Sequence, residues 1–191
     1  IIGNNVLAHV PDLNDFVAGM KALLAPTGVI TMEFPHLLRL MERNQFDTIY
    51  HEHFSYFSFL AVEQVFAHHG LTLFDVEELP THGGSLRIYA RHADDETHPV
   101  GPAVGELLGR ERAAGFDTLA AYADFETVVN RTKRELLKFL IEAKEAGKTV
   151  VGYGAPAKGN TLLNFCGVRT DMIDYTVDRA PSKQNTLLPG T

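Results

Sequence analysis

Residues 29–34 read VITMEF, an apolar run of strand length that lies between the tripeptide PTG and Pro35. A short apolar run bounded by turn residues predicts a β-strand. Upstream, residues 11–25 repeat apolar side chains at helical spacing, and residues 1–5 read as another short strand. A strand, a helix and a second strand in this order predict the βαβ unit from which parallel sheets are built.

Downstream of VITMEF the chain continues with a helix and two further strands. Ser58 can cap a helix that runs to about residue 69. Residues 71–77 and 85–91 then read as strands joined by LPTHGG. This order predicts an α/β fold with a mostly parallel sheet and an antiparallel edge.

A polar stretch, RHADDETHPVG at residues 91–101, interrupts this series. Its acids, Pro and Gly are typical of a connection, so we place a linker at 93–101 between a first domain at 1–92 and a second at 102–191. In the second domain the sequence pattern predicts another α/β series, with helices at 102–114, 118–146 and 160–166 and strands at 149–153 and 172–177. Because the chain opens inside an apolar strand, we expect it to be a piece of a longer protein.

The amino-acid composition excludes some kinds of partner and of covalent structure. The 191 residues are 45% hydrophobic and 21% charged, which is typical of a soluble globular protein. A net charge of −7 argues against nucleic acid or an anionic membrane as the main partner. The one cysteine, Cys166, excludes an internal disulfide. No apolar run is long enough for a transmembrane helix, and we find no signal peptide, so we expect a cytoplasmic location.

Residues 50–58, YHEHFSYFS, place Tyr50, His51, Glu52 and His53 among aromatic side chains. Charged groups are costly to remove from water unless they are paired, so this arrangement indicates a function. A metal site would need more ligands, and HEH lacks the HExxH spacing, so we expect no metal here. The segment can also be a packed or solvated loop. We favour acid–base catalysis, because a His beside a carboxylate is suited to proton transfer near neutral pH.

Residues 4–12, NNVLAHVPD, lie between a predicted strand and a predicted helix. Ligands of open α/β sheets bind at the carboxyl ends of the strands, so His9 is well placed to face a pocket. The alternative is that His9 packs against the start of the helix.

Residues 152–160, GYGAPAKGN, join a strand to a helix. Glycines allow close backbone approach and a helix N-terminus favours anions, so this loop predicts an anion-binding cradle, with a plain tight turn as the alternative. The candidate ligand contacts are Gly154, Lys158, Gly159 and Asn160.

Residues 81–87, THGGSLR, occupy the connection between two strands. The paired glycines favour a tight turn with no ligand. A functional interpretation makes Gly84, Ser85 and Arg87 contacts to a substrate phosphate.

The four motifs YHEHFSYFS, NNVLAHVPDL, HGGSLR and GYGAPAKGNTLLN together resemble the sugar-nucleotide C-methyltransferases. Those enzymes use S-adenosylmethionine to methylate a ring carbon of a deoxy-keto-hexose carried on a nucleoside diphosphate. The resemblance spans nearly the whole chain in the same order. It implies the second half of a Rossmann-like methyltransferase sheet, a helical connection and a truncated C-terminal α/β domain.

The resemblance also implies roles for individual residues. His53 takes the place of the base, Glu52 and Tyr50 are its neighbours, and His9 matches a further active-site histidine. The strand end at Asn5 and Val6 is expected to contact S-adenosylmethionine. The GYGAPAKGN loop falls in the domain that takes part in holding the nucleotide sugar.

Two features of the resembled family are missing from this sequence. Such enzymes carry a cysteine-rich zinc segment and a Gly-rich loop followed by a ribose-binding acid, and both would precede Ile1. We therefore expect the S-adenosylmethionine site to be incomplete, the chain alone to be inactive, and zinc to belong only to the N-terminal part that is missing here.

Two other interpretations remain open at this point. A dinucleotide-binding oxidoreductase, or a simpler nucleotide-binding module, would use GYGAPAKG together with Asp178, which resembles a ribose-binding acid at the end of a strand. A non-catalytic interaction domain, descended from an enzyme, is the third interpretation.

Overall fold

In the computed structural model, which describes residues 1–190, the strands fall into two separate sheets. One sheet has four strands and the other has two. The chain divides accordingly into two units: Ile1–Gln45 with Glu52–Ala123, and Phe46–His51 with the chain from Asp124 onward. The predicted α/β class is confirmed, since both units combine strands with helices.

The four-stranded sheet has the order β1-β2-β4-β3. Its strands are β1 (Ile2–Asn4), β2 (Ile30–Pro35), β3 (Leu71–Leu79) and β4 (Ser85–His92). β1 pairs with β2 in parallel, whereas β4 is antiparallel to both of its neighbours. β1, β2 and β3 therefore run in one direction.

The position of the antiparallel strand differs from the sequence prediction. We expected it at an edge, but β4 lies between β2 and β3. The register runs from Ile30 opposite Ala90 to Pro35 opposite Ser85. Burial explains the insertion, because an interior strand removes the apolar side chains of β4 from water.

Five α-helices belong to the first unit. They are α1 (Leu13–Leu23), α2 (Leu37–Glu42), α3 (Phe59–His68), α4 (Pro102–Ala113) and α5 (Ala120–Ala123). The predicted cap of α3 is confirmed, because Ser58 Oγ accepts a hydrogen bond from Ala61 N at 3.1 Å. The sequence missed α2, which is too short for a helical period to emerge. Of the helices within residues 1–190, none combines the length and the apolarity needed to cross a membrane.

The units divide after residue 123, whereas the sequence places the division at 93–101. Beyond that polar stretch, α4 returns to the first unit, where Val104 and Leu107 join its core. Gly101 N also donates a hydrogen bond to Phe74 O at 2.8 Å. The polar composition of this stretch thus marks a surface turn within the first unit.

A buried carboxylate ties α4 to the rest of this unit. Glu111 is 0% exposed, and its Oε1 accepts hydrogen bonds from Phe59 N at 2.8 Å and from His36 Nε2 at 2.7 Å. Its Oε2 accepts from Leu60 N at 2.8 Å. The carboxylate therefore satisfies free amides in the first turn of α3, where the helix dipole also favours a negative charge.

We predict that Glu111→Gln lowers the free energy of unfolding by about 1–3 kcal/mol, because one buried N–H loses its acceptor. The measurement is urea denaturation followed by circular dichroism. Glu106→Gln, at an exposed position of the same helix, is the matched control and should change stability by less than about 0.5 kcal/mol. Equal effects from both substitutions would contradict the role of the buried carboxylate.

As far as residue 190, the second unit contains a parallel pair of short strands and two α-helices. The elements are α6 (Phe125–Glu145), β5 (Val151–Tyr153), α7 (Ala157–Cys166) and β6 (Tyr175–Val177). Its buried cluster is formed by Leu140, Cys166 and Val168. The single helix predicted at 118–146 is in fact two, α5 and α6, which are separated in the sequence by Asp124.

Cys166 offers a probe of this unit, because burial raises the pKa of its thiol and leaves the side chain 3% exposed. Since the thiolate is the reactive form, labelling by a maleimide dye must await opening of the unit. We predict that labelling is on the order of 100-fold slower in the native chain than in urea. Rapid labelling of the native chain would show that this unit is not closed around Cys166.

Candidate active site

Two of the predicted site segments, NNVLAHVPD and THGGSLR, lie at the carboxyl edge of the four-stranded sheet. Asn5 directly follows β1, and its backbone N–H donates to Glu33 O of β2 at 2.8 Å. Thr81 and His82 lie just beyond β3. Because these three strands run in one direction, the loops that follow β1 and β3 meet at the same edge. In open α/β sheets this edge is where ligands bind.

Two histidines meet at this edge although they are far apart in sequence. The ring centroids of His9 and His53 are 4.8 Å apart, with the rings at 79° to one another. The Tyr56 ring lies 5.8 Å from His53, also edge-on. Both Phe54 N and Ser55 N donate to Ala8 O, at 2.8 and 3.3 Å, which fastens the segment of His53 to the loop of His9.

The other two predicted catalytic residues are placed differently. Tyr50 belongs to the residues of the second unit, where its ring lies 6.2 Å from that of His51. Glu52 is exposed and accepts no hydrogen bond from any residue among 1–190. Within the first unit the structure brings together His9 and His53. The roles of Tyr50 and Glu52 stay predictions.

The THGG turn requires its glycines. Gly83 and Gly84 have φ values of 85° and 128°, in the region that L-residues rarely adopt. A Cβ on Gly83 would lie 2.1 Å from Gln45 Nε2. The carbonyl oxygen of Gly84 accepts a hydrogen bond from His36 N at 3.0 Å. Gly84, a predicted substrate contact, is therefore buried and shapes the turn.

Ser85 and Arg87 also have partners within this unit. Ser85 is 1% exposed, and its hydroxyl donates to Thr81 O at 3.0 Å. The Arg87 guanidinium donates to Glu33 Oε2 at 3.0 Å and to Glu77 Oε2 at 3.3 Å. The hydrogen bond to Glu33 raises the pKa of Arg87. A substrate would have to compete with these partners, so phosphate binding by Ser85 and Arg87 stays a prediction.

In the second unit, the GYGAPAKGN loop joins β5 to α7. Gly154 has a φ of 92°, and its N–H donates to Val177 O at 2.7 Å. α7 begins at Ala157, and no side chain caps its N-terminus. The amides of residues 157–159 therefore lack partners within the helix. These amides and the side chain of Lys158 are the groups available to bind an anion at this loop, and anion binding here stays a prediction.

Asp178 serves the fold of the loop. Its Oδ2 accepts from Ala155 N at 2.7 Å and its Oδ1 from Ala180 N at 2.8 Å. Lys183 Nζ lies 3.7 Å from the same carboxylate. Hydrogen bonds from Ala180 and then Ala155 hold the pKa of Asp178 below its usual value. Both carboxylate oxygens are thus engaged by the chain itself, which weakens the interpretation of Asp178 as a ribose-binding acid.

A pocket of about 550 Å³ lies beside this carboxylate in the second unit. Its apolar lining includes Leu163 and Ile173, and its polar lining includes Asp178 and Lys183. The pocket therefore offers both apolar surface and a cation close to the loop.

Two family models match this chain. Residues 1–76 match a model described as a methyltransferase domain. Residues 80–191, more than half of the chain, match a model described as the C-methyltransferase C-terminal domain. The chain belongs to the C-methyltransferase family.

A curated relative agrees with this assignment. The C-methyltransferase NovU of Streptomyces niveus is 40% identical over 191 residues, which are 100% of this chain and 45% of the relative. The chain thus spans about half the length of the curated relative that it matches. The resemblance to C-methyltransferases drawn from the four motifs is confirmed.

Two side chains at this edge are not indicated by the motifs. Tyr56 lies among the aromatic side chains of YHEHFSYFS, and its ring packs edge-on against that of His53, the predicted base. His82 lies within THGGSLR, and its Nε2 lies 3.2 Å from Asn5 Nδ2. A signal for His82 existed, because a His just before two glycines is well suited to a left-handed turn position.

The Asp178 contacts predict a titration at low pH. Because its folded pKa is depressed, the stabilisation is complete above the ordinary value of about 3.9 and is lost as the pH falls through the lower, folded value. We expect the amide NMR signals of Ala155 and Ala180 to shift together with a midpoint below about 3.9. Asp178→Asn should abolish this titration. A midpoint at or above the ordinary value would contradict the two backbone hydrogen bonds.

Proposed function

We propose that this chain supplies the second half of the methyltransferase domain and part of the C-terminal domain of an S-adenosylmethionine-dependent C-methyltransferase. The proposed substrate is a keto-deoxysugar linked to a nucleoside diphosphate. The observation that carries the proposal is the contact between His9 and His53 at the carboxyl edge of the sheet. The name of the curated relative supports methylation on carbon, and the sugar nucleotide rests on the resemblance of the motifs.

Methylation on carbon needs a base that can create a nucleophile. A carbon alpha to a ketone is weakly acidic, and a histidine can remove its proton if the developing enolate oxygen is stabilised. In our proposal His53 takes this proton, and the electron pair of the C–H bond passes into the enolate. The enolate carbon then forms a bond to the methyl group as the bond from that methyl to sulfur breaks and its electrons remain on sulfur. His53 finally releases the proton to solvent.

The surroundings of His53 suit this task. His9 and Tyr56 each contact its ring edge-on, and the backbone bonds to Ala8 hold its segment in place. A base whose ring is held by neighbours loses little entropy when it meets its substrate. Both neighbouring rings carry groups that can assist by hydrogen bonding to the substrate. We propose Glu52 and Tyr50 as further neighbours of the reacting atoms.

The methyl donor supplies an electrophilic methyl group when it is bound. Among residues 1–190, we assign its contacts to Asn5 and Val6, which follow β1 at the ligand-binding edge. Asn5 is half-buried and has a positive φ of 55°, a conformation that the loop holds in place by the bond from Asn5 N to Glu33 O. The Asn5 amide can donate and accept hydrogen bonds, and Val6 can offer apolar surface to such a ligand.

We assign the nucleotide portion of the substrate to the second unit. The uncapped first turn of α7 and the Lys158 side chain offer positive potential to a diphosphate. Gly154, Gly159 and Asn160 belong to the same loop and helix start. The pocket of about 550 Å³ beside Lys183, with its mixed apolar and polar lining, supports this assignment.

The decisive test is His53→Ala in the full-length protein. We predict that C-methylation falls by about 10²–10⁴-fold, the usual contribution of a general base, while the affinity for S-adenosylmethionine is unchanged. Exchange of the substrate alpha proton with deuterium oxide, without S-adenosylmethionine, should fall by a similar factor. This exchange, followed by NMR, separates proton removal from methyl transfer.

His51→Ala is the matched control, because it removes an exposed histidine from the same segment. It should leave exchange and methylation near the wild-type rates. Normal exchange in His53→Ala with slow methylation would move the base to another residue, with His9 next. Normal rates of both would mean that YHEH is scaffolding.

A further inference from the structure

Asn5 and His82 form a polar contact across the carboxyl edge of the first sheet. Asn5 Nδ2 lies 3.2 Å from His82 Nε2, between residues 77 positions apart. Both residues have left-handed backbones, with φ values of 55° and 53°. Such conformations cost energy in residues other than glycine and persist where the surroundings fix them. Two of them joined by a side-chain contact at a ligand-binding edge point to function.

The turn that carries His82 is fixed from several directions. Thr81 Oγ1 donates to Glu33 Oε1 at 2.9 Å, and Gly84 N donates to Thr81 O at 2.9 Å. Arg43 donates to Gly83 O at 2.6 Å. His82 itself is exposed at the tip of the turn, so its ring is not needed to fill the core. The backbone of the turn is therefore fixed, and it places the His82 imidazole next to the Asn5 side chain.

The chemistry of the contact sets the orientation of the amide. As the structure orients the amide, Asn5 Nδ2 is the donor and His82 Nε2 is the acceptor of this contact. With Nδ2 turned to His82, Asn5 Oδ1 accepts no hydrogen bond from any other residue in 1–190. That oxygen is left as an acceptor for a ligand.

We infer that His82 is a positioning residue, which holds the Asn5 amide so that Oδ1 accepts a hydrogen bond from an N–H or O–H group of the methyl donor. This inference rests on the proposed function, in which Asn5 contacts S-adenosylmethionine. Without His82 the amide rotates freely, and its NH₂ group can face the same ligand donor without a bond. His82 thus acts on affinity for the methyl donor through Asn5, without touching the reacting atoms.

The experiment measures S-adenosylmethionine binding by calorimetry and steady-state kinetics in the full-length protein. We expect His82→Ala to raise the Kd and the KM for S-adenosylmethionine by about threefold to tenfold, the range of one neutral hydrogen bond. The kcat and the KM for the sugar substrate should stay near wild type. His82→Gln should restore much of the affinity, because its side-chain oxygen can accept from Asn5 Nδ2.

A double-mutant cycle isolates the pathway. Asn5→Ala should weaken binding at least as much as His82→Ala, and adding His82→Ala to it should have no further effect. His68→Ala removes an exposed histidine at the end of α3 and is the matched control, with unchanged affinity.

The outcomes separate this inference from the proposed function. If the wild-type protein binds S-adenosylmethionine and His82→Ala binds it within twofold as tightly, the inference is wrong and the proposed function stands. Additive losses from the two substitutions, or no recovery with His82→Gln, would equally overturn it. A full-length wild-type protein that binds no S-adenosylmethionine would overturn the proposed function and this inference together.

Discussion

The first unit depends on one buried carboxylate. Glu111 lies in the interior with three donors around it: two amides at the start of α3 and the imidazole of His36. An unpaired charge at this depth would be strongly unfavourable, so the three donors and the acid require one another. His36 carries this constraint further, because its backbone N–H donates to Gly84 O, and Leu37 N donates to Phe57 O. The anchor of α4 is thereby connected to both loops of the candidate active site.

These hydrogen bonds explain how two loops without regular secondary structure can fix the positions of their side chains. The His53 segment has no regular secondary structure, yet it is fastened at Ala8 on one side and at the His36–Phe57 bridge on the other. The THGG turn has three consecutive residues with positive φ, and hydrogen bonds hold the N–H of Gly84 and the carbonyl oxygens of Thr81, Gly83 and Gly84. Catalytic geometry on loops is reliable where the scaffold underneath over-determines it. Here the support underneath these loops is the start of α3, whose first amides are bound by the Glu111 carboxylate.

The sequence predicts the strands of both sheets, and the resemblance of its motifs places His9 and His53 in one active site. It does not reveal Glu111, since an acid on a helix usually faces solvent and the burial of this one depends on partners 51 to 75 residues away. The same limit applies to β4, whose neighbours are chosen by tertiary packing. Asp178 shows the converse: its position resembles that of a ligand-binding acid, yet its oxygens bind backbone amides nearby. Local patterns therefore indicate candidate site residues, whereas buried residues such as Glu111, whose partners are distant in sequence, become visible only in the structure.

The large sequence separation between Glu111 and its partners also affects how the first unit folds. The pair with His36 closes a segment of 75 residues, and the loop-closure entropy of such a contact must be overcome before the contact adds stability. During synthesis, the strands from β1 to β4 leave the ribosome before the acid that caps α3. Until α4 follows, the start of α3 and the side chain of His36 lack their acceptor. A chain that stops after β4 contains every strand of the sheet and still lacks the residue that locks it, so the folding unit is longer than the sheet.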